Sequence, residues 1–157
     1  MSSKLSKNQL EKYSRQIILK NIGILGQKKI LNSKVLIIGM GGLGCPVAEF
    51  LARSGVGSLG IVDHDLVSLS NIHRQTLYDE KDLGKLKVKA AKKKLANINS
   101  RTKIDIYNFK LDKKKITRQL NKKTKAIISI FAGRMGDQLK NPIPIFNNSI
   151  KFTKKYK

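Results

Sequence analysis

Four glycines in the segment GMGGLGC (residues 39–45) have the spacing of a phosphate-binding turn. They are Gly39, Gly41, Gly42 and Gly44. Because glycine has no Cβ, the backbone can turn sharply there and approach a phosphate group. The negative charge of that phosphate would then meet the free N–H groups of a following helix. The spacing therefore predicts a site for a phosphate-bearing ligand.

A carboxylate follows these glycines at the distance that a nucleotide site needs. Asp63 stands about 20 residues beyond them, where it can accept hydrogen bonds from ribose hydroxyls. Asp65 follows closely in the same segment, VDHD, and is counted among the candidate nucleotide-binding residues. Glycines that only allow close helix–strand packing are the alternative. A strand before the turn, a helix after it and an acid at this offset favour a nucleotide site.

The elements that must position these residues follow from the hydrophobic pattern. Strands are predicted at Val35–Ile38 and Leu59–Val62, with a helix at Cys45–Arg53 between them. Further strands are predicted at Ile104–Phe109 and Ala126–Phe131. Repeated alternation of strands and helices indicates an α/β protein with a Rossmann-like parallel sheet and flanking helices.

The remaining segments are predicted to be helical or irregular. Helices are expected at Asn8–Lys20, Gln27–Leu31, Lys85–Asn97 and Lys113–Leu120. No sustained period follows residue 131. The expected organisation is an N-terminal helical segment (1–32), a Rossmann-like nucleotide-binding domain (33–131) and an irregular basic C-terminal tail (132–157).

Composition and charge exclude several classes of function. The chain has 157 residues, 40% of them hydrophobic, which suits one globular domain. Its formal net charge is +23, but the charges between residues 33 and 78 cancel, so the excess lies in the flanks. We therefore expect no specific nucleic-acid partner. The N-terminal residues form no apolar targeting segment and no stretch is long enough to cross a membrane, so a cytoplasmic location without a membrane partner is expected.

A single cysteine, Cys45, excludes an internal disulfide and a cysteine-only zinc site within this chain. Its position at a helix N-terminus could lower its pKa and make it reactive. The preferred interpretation is a small buried residue beneath the glycine turn.

Residues 64–90 combine acid, hydroxyl, amide, histidine and basic side chains in an irregular stretch. Ser70 and Asn71 are suited to capping a short helix that carries Arg74. Lys87 would lie in the first turn of the next helix, where a cation is unfavourable against the helix dipole. An anionic partner would offset that cost.

Several of these motifs, in this order, resemble the HesA/MoeB/ThiF family, relatives of ubiquitin-activating enzymes. The matching segments are YSRQI (13–17), GMGGLGC (39–45), VDHD (62–65), SLSNIHRQ (68–75) and GKLK (84–87). The resemblance covers about residues 8–112. It implies an adenylyltransferase that uses ATP and Mg²⁺ to activate the C-terminal glycine of a ubiquitin-like sulfur-carrier protein, in molybdopterin or thiamin synthesis.

The resemblance also implies roles for individual residues. The four glycines would hold the ATP phosphates, and Asp63 the ribose. The triphosphate would be bound by Ser70, Asn71, Arg74 and Lys87. Arg15 matches an arginine that, in the family, reaches the nucleotide of a neighbouring subunit, which implies a homodimer.

The implied reaction suits these residue types. It builds negative charge on phosphoryl oxygens, so catalysis is expected from positioning and from the cations Arg15, Arg74 and Lys87. Arginine makes bidentate phosphate contacts, whereas lysine acts as a point charge. We expect Arg74 and Lys87 to face the ligand rather than the core.

The sequence departs from the family after the fourth predicted strand. Family members carry a Thr-Asp-Asn turn there, whose aspartate serves magnesium, whereas this chain continues as SIFAGRM. Alternatively, AGRMGDQL resembles a later family segment, and the fourth strand has been deleted. The family's paired CxxC zinc motifs are also missing. Because the aspartate of the Thr-Asp-Asn turn is absent, no metal-binding residue is assigned; Asp65 and Asp137 are the fallback candidates for holding magnesium. A truncated, catalytically impaired ATP-binding module and an NAD-binding Rossmann protein are the alternative functions.

Overall fold

The structure is a computed structural model that describes residues 4–110 and the strand at 126–129. Its helices and strands follow one another in the order expected for an α/β protein. They are α1 (Lys7–Lys12), α2 (Ser14–Ile17), α3 (Gly23–Leu31), β1 (Lys34–Ile38), α4 (Gly44–Ser54), β2 (Ser58–Val62), α5 (Leu69–Ile72), a 3₁₀ helix (Glu80–Asp82), α6 (Lys87–Ile98), β3 (Lys103–Tyr107) and β4 (Ala126–Ser129).

The strands form a four-stranded parallel sheet in the order β3-β2-β1-β4. In register, Ile37 of β1 pairs with Ile61 of β2, which pairs with Ile106 of β3. This confirms the Rossmann-like parallel sheet. Because all four strands point the same way, their carboxyl ends meet at one edge, where α/β proteins bind ligands.

The main core lies between one face of the sheet and the helices α4 and α6. Side chains alternate across the strands, so Ile37, Leu59 and Ile61 point to this face and are fully buried. Val88 and Leu95 of α6 pack against them. The opposite face carries a smaller buried group formed by Leu36, Ile38 and Val62, with Tyr107 and Phe109 beside it. The core thus fixes the sheet edge from which the glycine turn emerges.

The prediction of one helix at Asn8–Lys20 is wrong, because the chain breaks at Tyr13 between α1 and α2. The ring of Tyr13 is 1% exposed, and its hydroxyl accepts a hydrogen bond of 3.1 Å from the Asn99 side-chain amide. Ile18, which directly follows α2, is 71% exposed. Burial of one large ring against the domain therefore redirects the chain.

Other element boundaries differ from the predictions by a few residues. The predicted Gln27–Leu31 helix begins earlier, at Gly23. Strand β4 is present at Ala126–Ser129 and lies beside β1. The predicted Lys113–Leu120 helix, Asp137 and the tail 132–157 lie outside the described residues. The three-part division of the chain stays a prediction. Across the described ranges, no helix has the length and apolarity needed to span a membrane.

Candidate functional site

The glycine turn joins β1 to α4 at the carboxyl edge of the sheet, and two of its glycines are required by the turn itself. Gly39 has a φ of 92°, a conformation that side-chain-bearing residues rarely adopt, and its N–H donates to the Val62 carbonyl at 2.8 Å. A Cβ added at Gly44 would lie 1.9 Å from the Gly39 carbonyl oxygen. Gly39 and Gly44 therefore have structural roles whether or not a ligand binds.

Gly41 and Gly42 have no comparable structural reason to be glycine. A Cβ at Gly41 would approach no atom closer than Gln75 Nε2 at 4.0 Å, and one at Gly42 would lie 3.6 Å from Arg74. Their backbone N–H groups make no hydrogen bond with any described residue. Helix α4 begins directly after them, and its N-cap, Leu43, provides no side-chain cap. The turn therefore presents unpaired donors beside a helix N-terminus, as an anion site requires.

Asp63 ties the end of β2 to this turn. Its Oδ2 accepts a hydrogen bond of 2.7 Å from the Met40 N–H, and its Oδ1 accepts one of 2.9 Å from the Asp65 N–H. The carboxylate is half-buried, so it keeps access to solvent beside the turn. Each oxygen retains acceptor capacity, since a carboxylate oxygen has two lone pairs. Asp63 thus lies where the sequence predicted an acceptor next to the glycines.

Arg74 is brought to the glycine turn, and the expected capping of α5 is confirmed for Asn71 but wrong for Ser70. Helix α5 starts after Ser68, and Asn71 acts within the cap by accepting the Ser68 N–H at 3.4 Å. Ser70 lies inside the helix with its hydroxyl 3.2 Å from that of Ser68. Arg74 follows the helix; its Nη1 donates to the Ser70 carbonyl at 2.7 Å, and its aliphatic carbons lie against Gly42.

Lys87 is buried, which contradicts the expectation that it faces ligand rather than core. Its side chain is 6% exposed, and its Nζ lies 3.0 Å from Asp65 Oδ2. Its backbone N–H also donates to the Asp65 carbonyl at 3.0 Å, and an antiparallel bridge joins Leu66 to Leu86. The anionic partner expected for this lysine is therefore a carboxylate of its own chain, brought close by the pairing of two distant segments.

Arg15 is not part of this cluster. It is exposed on α2, and its guanidinium makes no ion pair with any residue in the described ranges. Large apolar side chains close to it in sequence are also exposed, with Ile18 at 71%, Leu19 at 52% and Leu25 at 72%. No hydrogen bond or ion pair within the described ranges links Arg15 to the residues at the glycine turn.

Gln75 lies at the turn but was missed by the sequence reasoning. It is 3% exposed, its Nε2 is the atom nearest to the Cβ position of Gly41, and its Oε1 has no hydrogen-bond partner. The available signal was its place at the end of the SLSNIHRQ segment, directly after Arg74. Residue type alone does not distinguish such a glutamine from a surface one.

Cys45 lies beneath the turn, as the preferred interpretation predicted. It is fully buried, and this burial raises the pKa of its thiol despite opposing hydrogen bonds from the Leu77 backbone and Tyr78. The Tyr78 hydroxyl donates to the Met40 carbonyl at 2.9 Å, and burial raises the pKa of this phenol as well. Both groups stay protonated at neutral pH and support the turn from below.

The acidic cluster beside the glycine turn is a poor magnesium site, because its groups already have partners within the chain. Asp63, His64 and Asp65 bring possible ligand atoms within 4.8 Å of one another. However, both Asp63 oxygens accept backbone N–H groups, and Asp65 pairs with the Lys87 ammonium. Magnesium also prefers carboxylate and water oxygens to imidazole. No metal-binding residue is assigned.

A cavity of about 430 Å³ lies away from this cluster. It starts at the amino ends of the strands, at Lys34, Ser58 and Lys103, and continues along the face that carries Leu36 and Tyr107. None of the glycine-turn residues lines it. Ligands of α/β proteins bind at the carboxyl ends of the strands, so the glycine turn is the better candidate site.

Together, the parallel sheet and the glycine turn define a Rossmann-like α/β protein with an anion-binding geometry at its carboxyl edge. The chain belongs to the ThiF family, whose sequence pattern matches residues 13–131. Adenylyltransferase and sulfurtransferase MOCS3 from Aedes aegypti is 46% identical over 109 residues, which are 69% of this chain and 25% of the relative. The chain therefore spans about a quarter of the curated relatives it matches.

Solved structures show the same architecture. The chain resembles PaaA with a TM-score of 0.72 and 35% identity, over 82% of this chain and 42% of that one. It also resembles Escherichia coli MccB, solved with MccA-N7isoASN, with a TM-score of 0.69 and 27% identity, over 87% of this chain and 38% of that one. The fold class inferred from the sequence is confirmed by both.

Proposed function

We propose that this chain binds ATP at the glycine turn and acts as an adenylyltransferase on the C-terminal glycine of a ubiquitin-like sulfur-carrier protein. The proposal rests on one observation. The Gly41 and Gly42 N–H groups, which pair with no described residue, lie beside the Arg74 side chain, and the Asp63 carboxylate is bonded to the same turn. The similarity to the MOCS3 proteins, which are adenylyltransferases and sulfurtransferases, supports the activity.

In this proposal the ATP phosphates lie on the turn, with Gly39 and Gly44 shaping it and Gly41 and Gly42 touching the ligand. Asp63 accepts hydrogen bonds from the ribose. Exposed Arg74 makes charge-assisted contacts with the triphosphate, and Ser70 lies on the same short segment. Asn71 and Asp65 contribute chiefly by holding their neighbours, since Asn71 caps α5 and Asp65 pairs with Lys87. Lys87 acts as a fixed positive charge near the turn.

The reaction requires cations more than bases. A carboxylate oxygen of the carrier's terminal glycine attacks the α-phosphorus of ATP, the bond to the bridging oxygen breaks, and pyrophosphate leaves with that electron pair. The products are an acyl adenylate and pyrophosphate, and no proton has to be removed from an ionised carboxylate. Arg74 and Lys87 would stabilise the charge that builds on the phosphoryl oxygens. Magnesium use stays a prediction, because the acidic cluster beside the turn is a poor site for the ion.

The protein would work as a homodimer in which Arg15 reaches the nucleotide of the neighbouring subunit. Two observations support this. The guanidinium is exposed and unpaired within the described ranges, and the nearby Ile18, Leu19 and Leu25 expose apolar surface, which is typical of a protein interface. Sedimentation equilibrium tests the state, and Leu25→Asp should shift the protein toward monomer. A monomeric parent at all concentrations would contradict the proposal.

Isothermal titration of the chain with ATP and NAD tests the ligand. We expect ATP to bind and NAD to bind weakly or not at all, since a dinucleotide site has no use for Arg74 beside the turn. Tight NAD binding without ATP binding would instead support an NAD-binding Rossmann protein.

ATP–pyrophosphate exchange tests the activity. The assay uses a carrier protein that ends in Gly-Gly, with and without magnesium. Carrier-dependent exchange supports the adenylyltransferase. ATP binding without exchange would support the alternative of a catalytically impaired ATP-binding module. The cytoplasmic location and the lack of a specific nucleic-acid partner stay predictions.

A further inference from the structure

Gln75 is a buried glutamine beside the glycine turn, and its amide makes no hydrogen bond with any described residue. The side chain is 3% exposed, and Oε1 is fully buried without a partner. Its backbone is well fixed, since its N–H donates to the Asn71 carbonyl at 2.9 Å and its carbonyl accepts the Tyr78 N–H at 3.0 Å. The backbone thus holds the amide at Gly41 even though nothing in the described chain binds it.

A buried amide without partners is unfavourable and uncommon in native proteins. Gln27 provides an internal comparison, because it is also fully buried with an unpartnered Oε1. The Gln27 Nε2, however, donates to the Ser54 carbonyl at 3.0 Å and so anchors α3 to the end of α4. No such anchoring bond involves the Gln75 amide within the described residues. Fold stability therefore explains Gln27 but not Gln75.

The surroundings of the Gln75 amide indicate what it binds. The Gln75 Nε2 is the atom that would lie nearest to a Cβ added at Gly41. The preceding residue, Arg74, lies against Gly42. The N–H groups of both glycines pair with no residue in the described part of the chain. A ligand that satisfies these donors offers oxygen acceptors, and the Nε2 of glutamine is a donor too. The donors at this point, the two glycine N–H groups and the Gln75 Nε2, therefore suit one anionic, oxygen-rich ligand group.

We propose that Gln75 contacts the nucleotide directly, with its Nε2 donating to a phosphate oxygen that lies over Gly41. This inference rests on the proposed ATP site and adds to it a neutral donor beside the cationic Arg74. The contact is specific to phosphate, so it affects ATP and leaves adenosine almost unaffected.

Titration of Gln75→Met with ATP and with adenosine tests the contact. Methionine keeps the length and apolar stem of the side chain but removes the donor. We expect ATP binding to weaken by about tenfold and adenosine binding by less than about twofold. Gln75→Glu should weaken ATP binding further, because a carboxylate repels phosphate. Gln27→Met is the matched control; it should lower thermal stability without changing the ratio of the two affinities.

A measurement on the parent protein covers the case in which the Gln75 variants fail to fold. The side-chain amide resonance of Gln75 should shift when ATP is added and stay unchanged with adenosine. An unshifted resonance, or unchanged ATP affinity in Gln75→Met while Arg74→Ala weakens binding, would overturn this inference alone. A parent chain that binds no ATP would overturn the proposed function and this inference with it.

Discussion

The Nζ of Lys87 lies 3.0 Å from Asp65 Oδ2, and the two side chains differ sharply in exposure, at 6% for the lysine and 54% for the aspartate. A buried ammonium is paired here with a carboxylate that extends into solvent. This pair joins the segment after β2, two residues beyond Asp63, to the start of α6. It also offsets the unfavourable position of a cation in the first turn of a helix.

Removing the carboxylate should destabilise the fold. Asp65→Asn leaves the Lys87 ammonium buried without its charge partner, and we expect a loss of roughly 1–3 kcal/mol in unfolding free energy. Asp105→Asn is the control, because its pair with Lys103 is exposed and such pairs contribute little. Urea unfolding measures both. Equal unfolding free energies for the two variants would show that the Lys87–Asp65 pair does not stabilise the fold.

Two glycine substitutions should have opposite effects. Gly44→Ala places a Cβ 1.9 Å from the Gly39 carbonyl oxygen, so the turn must distort and the melting temperature should fall strongly. Gly41→Ala meets nothing closer than 4.0 Å and should fold normally, but its methyl group occupies the surface on which phosphate is proposed to lie. Thermal melting and ATP titration compare the variants. Normal ATP affinity in folded Gly41→Ala would argue against ligand contact there.

Arg74→Ala should weaken ATP binding without changing stability. The side chain is exposed, so the unfolding free energy should stay within about 0.5 kcal/mol of the parent. Loss of a charge-assisted phosphate contact should reduce the binding free energy by roughly 1.5–3 kcal/mol. Arg53→Ala, which removes an arginine paired with Glu49 on α4, is the control and should bind ATP like the parent. If both variants bind equally, Arg74 has no part in the site.

The contacts of Lys94 with two carboxylates predict a pH-dependent stability. Its ammonium hydrogen-bonds Asp79 and lies 3.3 Å from Asp82. The hydrogen bond from Lys94 lowers the pKa of Asp79. Burial opposes ionisation of Asp82, but hydrogen bonds from Lys85, the Asp79 backbone and Lys94 outweigh it and lower that pKa as well.

Because the pKa of both aspartates is lower in the folded state, their ionised carboxylates stabilise the fold above about pH 4, the ordinary pKa of aspartate. This stabilisation is lost as the pH falls through the pKa values of the folded state. Lys94→Met should therefore destabilise the protein at pH 7 and have a smaller effect near pH 2. Lys93→Met, on the exposed side of the same helix, serves as the control. Urea unfolding at both pH values measures this, and a pH-independent effect of Lys94→Met would contradict it.

Cys45 should be inert in the folded protein. Burial disfavours the thiolate and raises its pKa, so iodoacetamide at pH 8 should modify the native chain far more slowly than the unfolded one. Mass spectrometry of samples with and without denaturant gives the rates without ambiguity, since Cys45 is the only cysteine. Rapid native labelling would mean that the turn opens readily.

The sequence by itself determined the element types, their order and the glycine turn. These depend on local properties: the period of apolar residues distinguishes strand from helix, and glycine marks where the backbone turns. The strands β1 and β2 and the helix α4 therefore match their predicted bounds within one residue. The motif set that includes Asp63 and Arg74 also identified the family from residues 13–87 alone.

Only the tertiary structure decided which of the candidate residues are free to meet a ligand. Gly39 and Gly44 are constrained by contacts within the turn, while Gly41 and Gly42 are open. Lys87 is buried against Asp65, and Arg74 lies against Gly42 from more than thirty residues away in the chain. Burial and pairing depend on segments that are distant in sequence, and no local period or spacing encodes them.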